Sequence, residues 1–219
     1  MADSDKDDNS RQRLYCGIVA RYSGRDARWF AVMGWIPFLT AILGMMQSNI
    51  SYFGFTFDIG AAFGIGSFVL SESILMIPVY FIISMIFFAG GVEWYVLCRH
   101  CPCYEYSGKE HGNEGRFYCL ANWASPKLFK YDPSPVSTAG RIVFVAWVAF
   151  AYLAPILYFW NRLDWVIVQL AVVVGFMITL RQWCCSACPN FGCILNTVPE
   201  EKREEFLKLL ESGEIYDSS

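Results

Sequence analysis

Charge is scarce in this chain and histidine nearly absent. Only 17% of its 219 residues are Asp, Glu, Lys or Arg, against 55% hydrophobic, where a soluble domain carries roughly 25% charge. Both histidines, His100 and His111, stand in one short stretch outside every long apolar run. That excludes a haem held by two histidines within a bilayer. The chain has no Gly-rich dinucleotide or phosphate-binding fingerprint, so nucleotide-dependent chemistry lacks its usual cradle. No Ser-His-Asp or Cys-His arrangement stands outside the cysteine-rich segments. No short apolar stretch with a small-residue cleavage site precedes Trp29, and the first apolar run is expected to serve as the targeting signal. Lys127, Lys130 and Arg141 flank such a run and read as membrane-flanking charge, not as a nucleic-acid surface.

What fills the chain instead is four long apolar runs, about 29–47, 74–97, 142–160 and 165–182. Each approaches the roughly 20 residues a helix needs to cross a bilayer. The sequence therefore predicts an all-α, multi-pass membrane protein of four transmembrane helices, arranged as two hairpins. Of the 17 basic residues, six fall in 1–28, six in 98–141 and four in 181–219, and Arg162 alone lies on the other side. Positive flanks stay in the cytoplasm, which places both termini and the central loop there. A fifth span over 52–70 would enclose Asp58 and split the basic residues seven against ten. Residues 60–70, with Gly60, Gly64 and Gly66, are read as an interfacial or re-entrant helix instead. Trp29, Trp94 and Trp183 mark the cytoplasmic headgroup level, and Trp160 and Trp165 the outer one. Pro37, Pro78 and Pro155 are expected to kink their spans. Asn49-Ile50-Ser51 fits the glycosylation tripeptide on the outer side.

Five segments follow: an arm 1–28, a first hairpin 29–97, a Cys-rich loop 98–141, a second hairpin 142–182, and a tail 183–219. The tail is expected to end in a helix from Pro199 to Glu211, capped by Asn196 or Thr197 and stopped by Gly213. The two hairpins end alike. Cys98-Arg99-His100-Cys101-Pro102 follows the second span, and Cys185-Ser186-Ala187-Cys188-Pro189 follows the fourth. Cys119-Leu120-Ala121-Asn122 and Cys193-Ile194-Leu195-Asn196 come next, and then Pro126 and Pro199. This reads as a duplicated unit with both copies in one orientation.

Eight of nine cysteines belong to these segments: Cys98, Cys101, Cys103, Cys119, Cys184, Cys185, Cys188 and Cys193. Cytoplasmic thiols stay reduced. Two cysteines separated by two residues in that compartment form a clamp from which thiolates converge on a metal. The repeated positions, Cys98, Cys101, Cys119 and Cys185, Cys188, Cys193, are the core metal ligands expected, with Cys103 and Cys184 as fourth ligands. Two 4Fe–4S clusters are the first reading, because Pro after a ligand cysteine marks bacterial ferredoxin runs. Zinc is the alternative. His100 and His111 could ligate or tune the site, although a solvated loop position is their ordinary place. Cys16 stands apart as a lone thiol.

Four spans with Cys-Pro steps at cytoplasmic helix ends are similar to the plan of membrane ferredoxin proteins of nitrate and nitrous-oxide respiration. Those carry C-x-x-x-C-P and an appended ferredoxin domain, whereas this chain has C-x-x-C-P. The likeness is one of architecture and carries no residue roles. Three functions remain open: electron transfer between a soluble donor and a membrane partner or quinone, a zinc-stabilised membrane scaffold, and a thiol–disulfide oxidoreductase using Cys98/Cys101 and Cys185/Cys188.

Overall fold

A computed structural model describes residues 13–48, 50–54, 56–58, 69–88, 91–106, 119–120 and 127–213. Two short antiparallel strands, β1 (Arg13–Tyr15) and β2 (Ile18–Arg21), open it, joined by a turn at Cys16 and Gly17 with positive φ at both. Helix α1 (Gly24–Met46) follows. Ser23 caps it: Asp26 N donates to Ser23 Oγ (3.2 Å) and Ser23 N donates to Asp26 Oδ2 (3.0 Å), a reciprocal box that settles two of the orphan N–H groups of a helix start. Its 23 residues reach about 35 Å, enough to cross the hydrocarbon core.

Strands β3 (Phe57–Asp58) and β4 (Val69–Leu70) pair beyond α1. The expected helix near 60–70 falls on residues 59–68, which lie outside the described residues, and its last two positions form β4. Helices α2 (Glu72–Phe88) and α3 (Val92–Val96) continue towards the first cysteine motif. There follow α4 (Pro102–Tyr106), α5 (Thr138–Leu153) running into a 3-10 turn (Ala154–Tyr158), α6 (Leu163–Thr179) running into a π-helical turn (Leu180–Cys185), and α7 (Glu200–Ser212). Four helical stretches, Gly24–Met46, Glu72–His100, Thr138–Tyr158 and Leu163–Cys185, are long and apolar enough to cross a membrane.

Their packing gathers aromatic rings inside and leaves apolar side chains facing outward. Phe38, Tyr80, Tyr152, Phe159 and Phe176 are buried together, whereas Leu39, Ile82, Val174 and Ile178 face outward. An apolar exterior suits lipid, where burying such residues gains nothing. Helix α6 packs along α1, and α1 also meets α2. Gly44 makes one of these approaches possible: a Cβ there would stand 2.9 Å from the ring of the fully buried Phe159.

Polar side chains satisfy backbone carbonyls inside the bundle. Pro155 has no N–H for the carbonyl of Ala151, and the Tyr80 hydroxyl donates to that oxygen. Gln169, with no exposure at all, donates to Pro37 O (3.2 Å) and Tyr152 O (2.9 Å) and meets the Thr40 hydroxyl at 2.6 Å. At the end opposite the cysteines, Glu72 is buried to 1%. Its carboxylate accepts from Ser51 Oγ (2.7 Å), Tyr52 N (3.1 Å), Phe53 N (2.8 Å) and Gly54 N (3.0 Å), so a turn of chain wraps one charge and leaves it satisfied. Asn49 of the tripeptide lies outside the described residues.

Candidate metal centre

The first cysteine motif is a string of tight turns. Gly91 adopts φ +97° to start α3, Leu97 N donates to Glu93 O (2.8 Å), and Cys98–His100 form a 3-10 turn closed by Cys101 N to Cys98 O (2.9 Å). Pro102 then opens α4 at the position where a missing N–H costs nothing. His100 ties the turn to the following loop. Its Nδ1 lies 3.0 Å from Asp132 O and 2.9 Å from Ser134 O, while Arg99 Nε points at its Nε2 (3.3 Å). A hydrogen on Nδ1 satisfies both ring nitrogens. The imidazole is thus a brace for the motif and presents no open lone pair. His111 lies outside the described residues.

The second motif is held by asparagines. Asn196 Nδ2 donates to Cys188 O (2.8 Å) and Asn190 O (3.0 Å), and Val198 N donates to Asn196 Oδ1 (2.9 Å). Asn196 organises the cysteine turn and is not the cap of α7; that helix starts after Pro199 without a side-chain cap and stops, as expected, at Gly213 with φ +78°. Asn190 Nδ2 reaches Leu97 O (3.3 Å), joining the second motif to the first. Asn190 N also donates to Cys188 Sγ (3.5 Å).

These bonds bring thiols of both halves together. Cys101 and Cys103 are buried side by side with Cys119 packed against them, under Ile18, Phe206 and Leu210. Cys188 lies within electrostatic reach of Cys101, Cys119 and Cys193, and Cys103 of Cys119 and Cys188. None of the nine cysteines, all described, is in a disulfide. Cys103 donates a hydrogen bond to Cys101, which lowers the Cys101 pKa and raises that of Cys103. Burial pushes Cys188 well above the ordinary thiol range and Cys193 upward, and the neighbouring sulfurs add to it. Tyr22, packed beside Cys184, lies within electrostatic reach of this group: burial raises its phenol pKa, with Cys188, Cys184, Cys119 and Cys103 contributing in turn.

Elsewhere the thiols part company. Cys98 packs with Trp94, Tyr104 and Phe129. Cys184 packs with Val19, Tyr22 and Leu120, and Cys185 is buried near Cys193. Cys16 pairs with Glu205, and burial and that carboxylate lift its pKa to about 11. Trp94, expected at the headgroup level, is buried and packs with Phe129, and its neighbour Glu93 is buried too.

The donor set suits a thiophilic metal: buried soft sulfurs with protons to give up. Among the described residues no three His, Cys, Asp or Glu side chains are gathered around one point tightly enough to hold an ion. The sulfurs are neighbours and would have to swing inward to become ligands of one centre.

Sequence reasoning passed over the cover of this group. The β1–β2 hairpin supplies Ile18 and, just beyond it, Tyr22, and Val19 N donates to Ala187 O (2.9 Å) beside Cys188. Cys16-Gly17 between apolar pairs was the available hairpin signal. Comparison with protein-family models, with curated proteins and with solved structures finds no match.

Proposed function

We propose that the chain is a membrane-anchored metalloprotein, and that its metal sits between its two halves, held by Cys101, Cys103, Cys119 and Cys188. The packing of Cys101, Cys103 and Cys119 against one another, with Cys188 within electrostatic reach, supports this reading. Both cysteines that precede a proline belong to the group, as the duplicated unit with its two hairpins would require. By the distribution of basic residues the group faces the cytoplasm, where thiols are kept reduced.

An iron–sulfur cluster is the metal group that the Cys-Pro steps favour, and it would supply reversible one-electron transfer. This chain's residues would bind it, exclude water from it under Ile18, Phe206 and Leu210, and set its surroundings through buried, polarisable thiols. A soluble donor on one side and a membrane acceptor on the other complete the role. A zinc staple is the second reading, favoured by α7 folding over the thiols with Phe206 fully buried.

Protein purified without oxygen should be brown, with iron and acid-labile sulfide in similar amounts, and should bleach partly on reduction. Cys101→Ser or Cys188→Ser should lower the iron content, and Cys16→Ser should leave it unchanged. Colourless protein with stoichiometric zinc would establish the staple and remove electron transfer.

A further inference from the structure

Where α1 begins and α6 ends, a cavity of about 640 Å³ opens, lined by Ser23, Arg25, Asp26, Trp29, Met33, Thr179 and Trp183. Its size is that of a small-molecule pocket. It sits at the level where tryptophans gather in membrane proteins, with Val32 and Met33 leading down α1 towards the apolar exterior. From this cavity and its position beside the thiols we infer a binding site for a membrane quinone: a neutral, planar headgroup bearing carbonyl acceptors on an apolar tail.

Three features select that chemistry. Two indoles wall the cavity, and flat aromatic faces suit a flat ring. Arg25, Trp29 and Trp183 bring N–H donors with no polar partner among the described residues, which suits an acceptor. Asp26, fixed by Ser23 Oγ at 2.7 Å, puts a carboxylate in the same wall as Arg25, so the described lining is neutral in sum and a phosphate headgroup would meet a like charge.

Two chain segments lead from the cavity towards the thiols. Ser23 follows Tyr22, and Trp183 precedes Cys184; the Tyr22 hydroxyl donates to Cys184 O (3.4 Å), and Tyr22 lies within electrostatic reach of Cys188, Cys119 and Cys103. Resting on the electron-transfer reading above, the site would be where electrons leave. A quinone there would take up two electrons and two protons from water and leave as quinol, the electrons coming from a soluble reductant by way of the centre that Cys101, Cys103, Cys119 and Cys188 would hold.

The test is photolabelling of the full chain in lipid nanodiscs with a short-tailed azidobenzoquinone, followed by peptide mapping. Saturable label should fall on Trp29, Met33 or Trp183, be displaced by excess unlabelled quinone, and drop at least tenfold in Thr179→Trp, which fills the cavity, and in Trp183→Leu. Label spread over the apolar helix faces, or undiminished in both variants, would overturn the site. So would displacement by phosphatidylglycerol that Arg25→Gln abolishes, since the cavity would then hold an anionic headgroup. Iron and acid-labile sulfide are measured on the same anaerobically purified protein. Label on protein that holds no iron as purified keeps the pocket and removes the electron-transfer reading; iron without label does the reverse.

Discussion

The two C-x-x-C-P turns share a spelling and differ in what holds them. In the first, His100 reaches out to Asp132 O and Ser134 O, carbonyls from a loop more than thirty residues on. In the second, Asn196 reaches back eight residues to Cys188 O and closes a compact local turn. The leading cysteines diverge as well: Cys98 goes into an aromatic cluster, while Cys185 stays near Cys193. What the turns have in common is a cysteine before proline, and these two, Cys101 and Cys188, lie within electrostatic reach of each other. The other positions of the motif serve different local packing in the two turns.

The largest expected effect tests that asymmetry. Cys101→Ser and Cys188→Ser should each reduce metal content to near background, equally, since both would ligate the shared centre. Removing an outer-shell partner alone costs roughly 10–100-fold in affinity, and loss of a thiolate ligand should exceed that. Cys98→Ser should retain most of the metal. Equal loss in Cys98→Ser and Cys101→Ser, read by elemental analysis, would restore two separate centres, one for each turn.

Next comes pH. Burial holds a proton on Cys188, and the hydrogen bond to Cys101 holds one on Cys103, so an incoming metal must displace them. Cadmium affinity should rise with pH by about tenfold per unit for each proton released, and should go on rising above the ordinary thiol pKa of roughly 8.5. The metal-free fold runs the other way. Thiols with raised pKa contribute stability that is complete below the unfolded value and is lost as pH climbs through the folded one. The melting temperature of stripped protein should be level through neutrality and fall in alkali, with the lowered Cys101 pKa offsetting part of the loss.

The braces follow. Asn196→Ala would leave the Cys188 and Asn190 carbonyls and the Val198 N–H without their partner, at a cost of about 2 kcal/mol. His100→Ala should cost less, about 1 kcal/mol, because one of the two carbonyl contacts it loses is exposed. Denaturant midpoints in the same detergent measure both.

How much of this was legible follows from the length scale of each signal. The four spans were, because twenty apolar residues have few other uses, and so was α7, because Pro199 and Gly213 punctuate it. Trp94 was misplaced because its burial depends on Phe129, a residue 35 positions away. The gathering of Cys103 with Cys188 was hidden for the same reason. It depends on Asn190 reaching Leu97 and on a hairpin arm laying Ile18 over the sulfurs, contacts that no local pattern records.

The smallest expected effect concerns Asp132, which looks by position like the acid orienting His100. Its side chain stands 3.8 Å from His100 Nδ1 and 3.6 Å from Arg99, one-third exposed. The bonds it makes well are to Ser134, from its side chain and from its backbone N (3.0 Å), and those bonds, ahead of His100 and Arg99, hold its carboxyl pKa below the usual value. A depressed carboxylate lends stability only above its unfolded pKa and loses it in acid, and water screens a group as open as this one. The carbonyls of Asp132 and Ser134, which backbone position fixes, do the holding of His100. Asp132→Asn keeps those carbonyls and an oxygen for Ser134 N. It should leave metal content and melting temperature unchanged at neutral pH, while His100→Ala lowers the latter. A loss of metal in Asp132→Asn would instead mean that the carboxylate itself acts on the first turn, and the two turns would then differ by a charge and not merely by the reach of their braces.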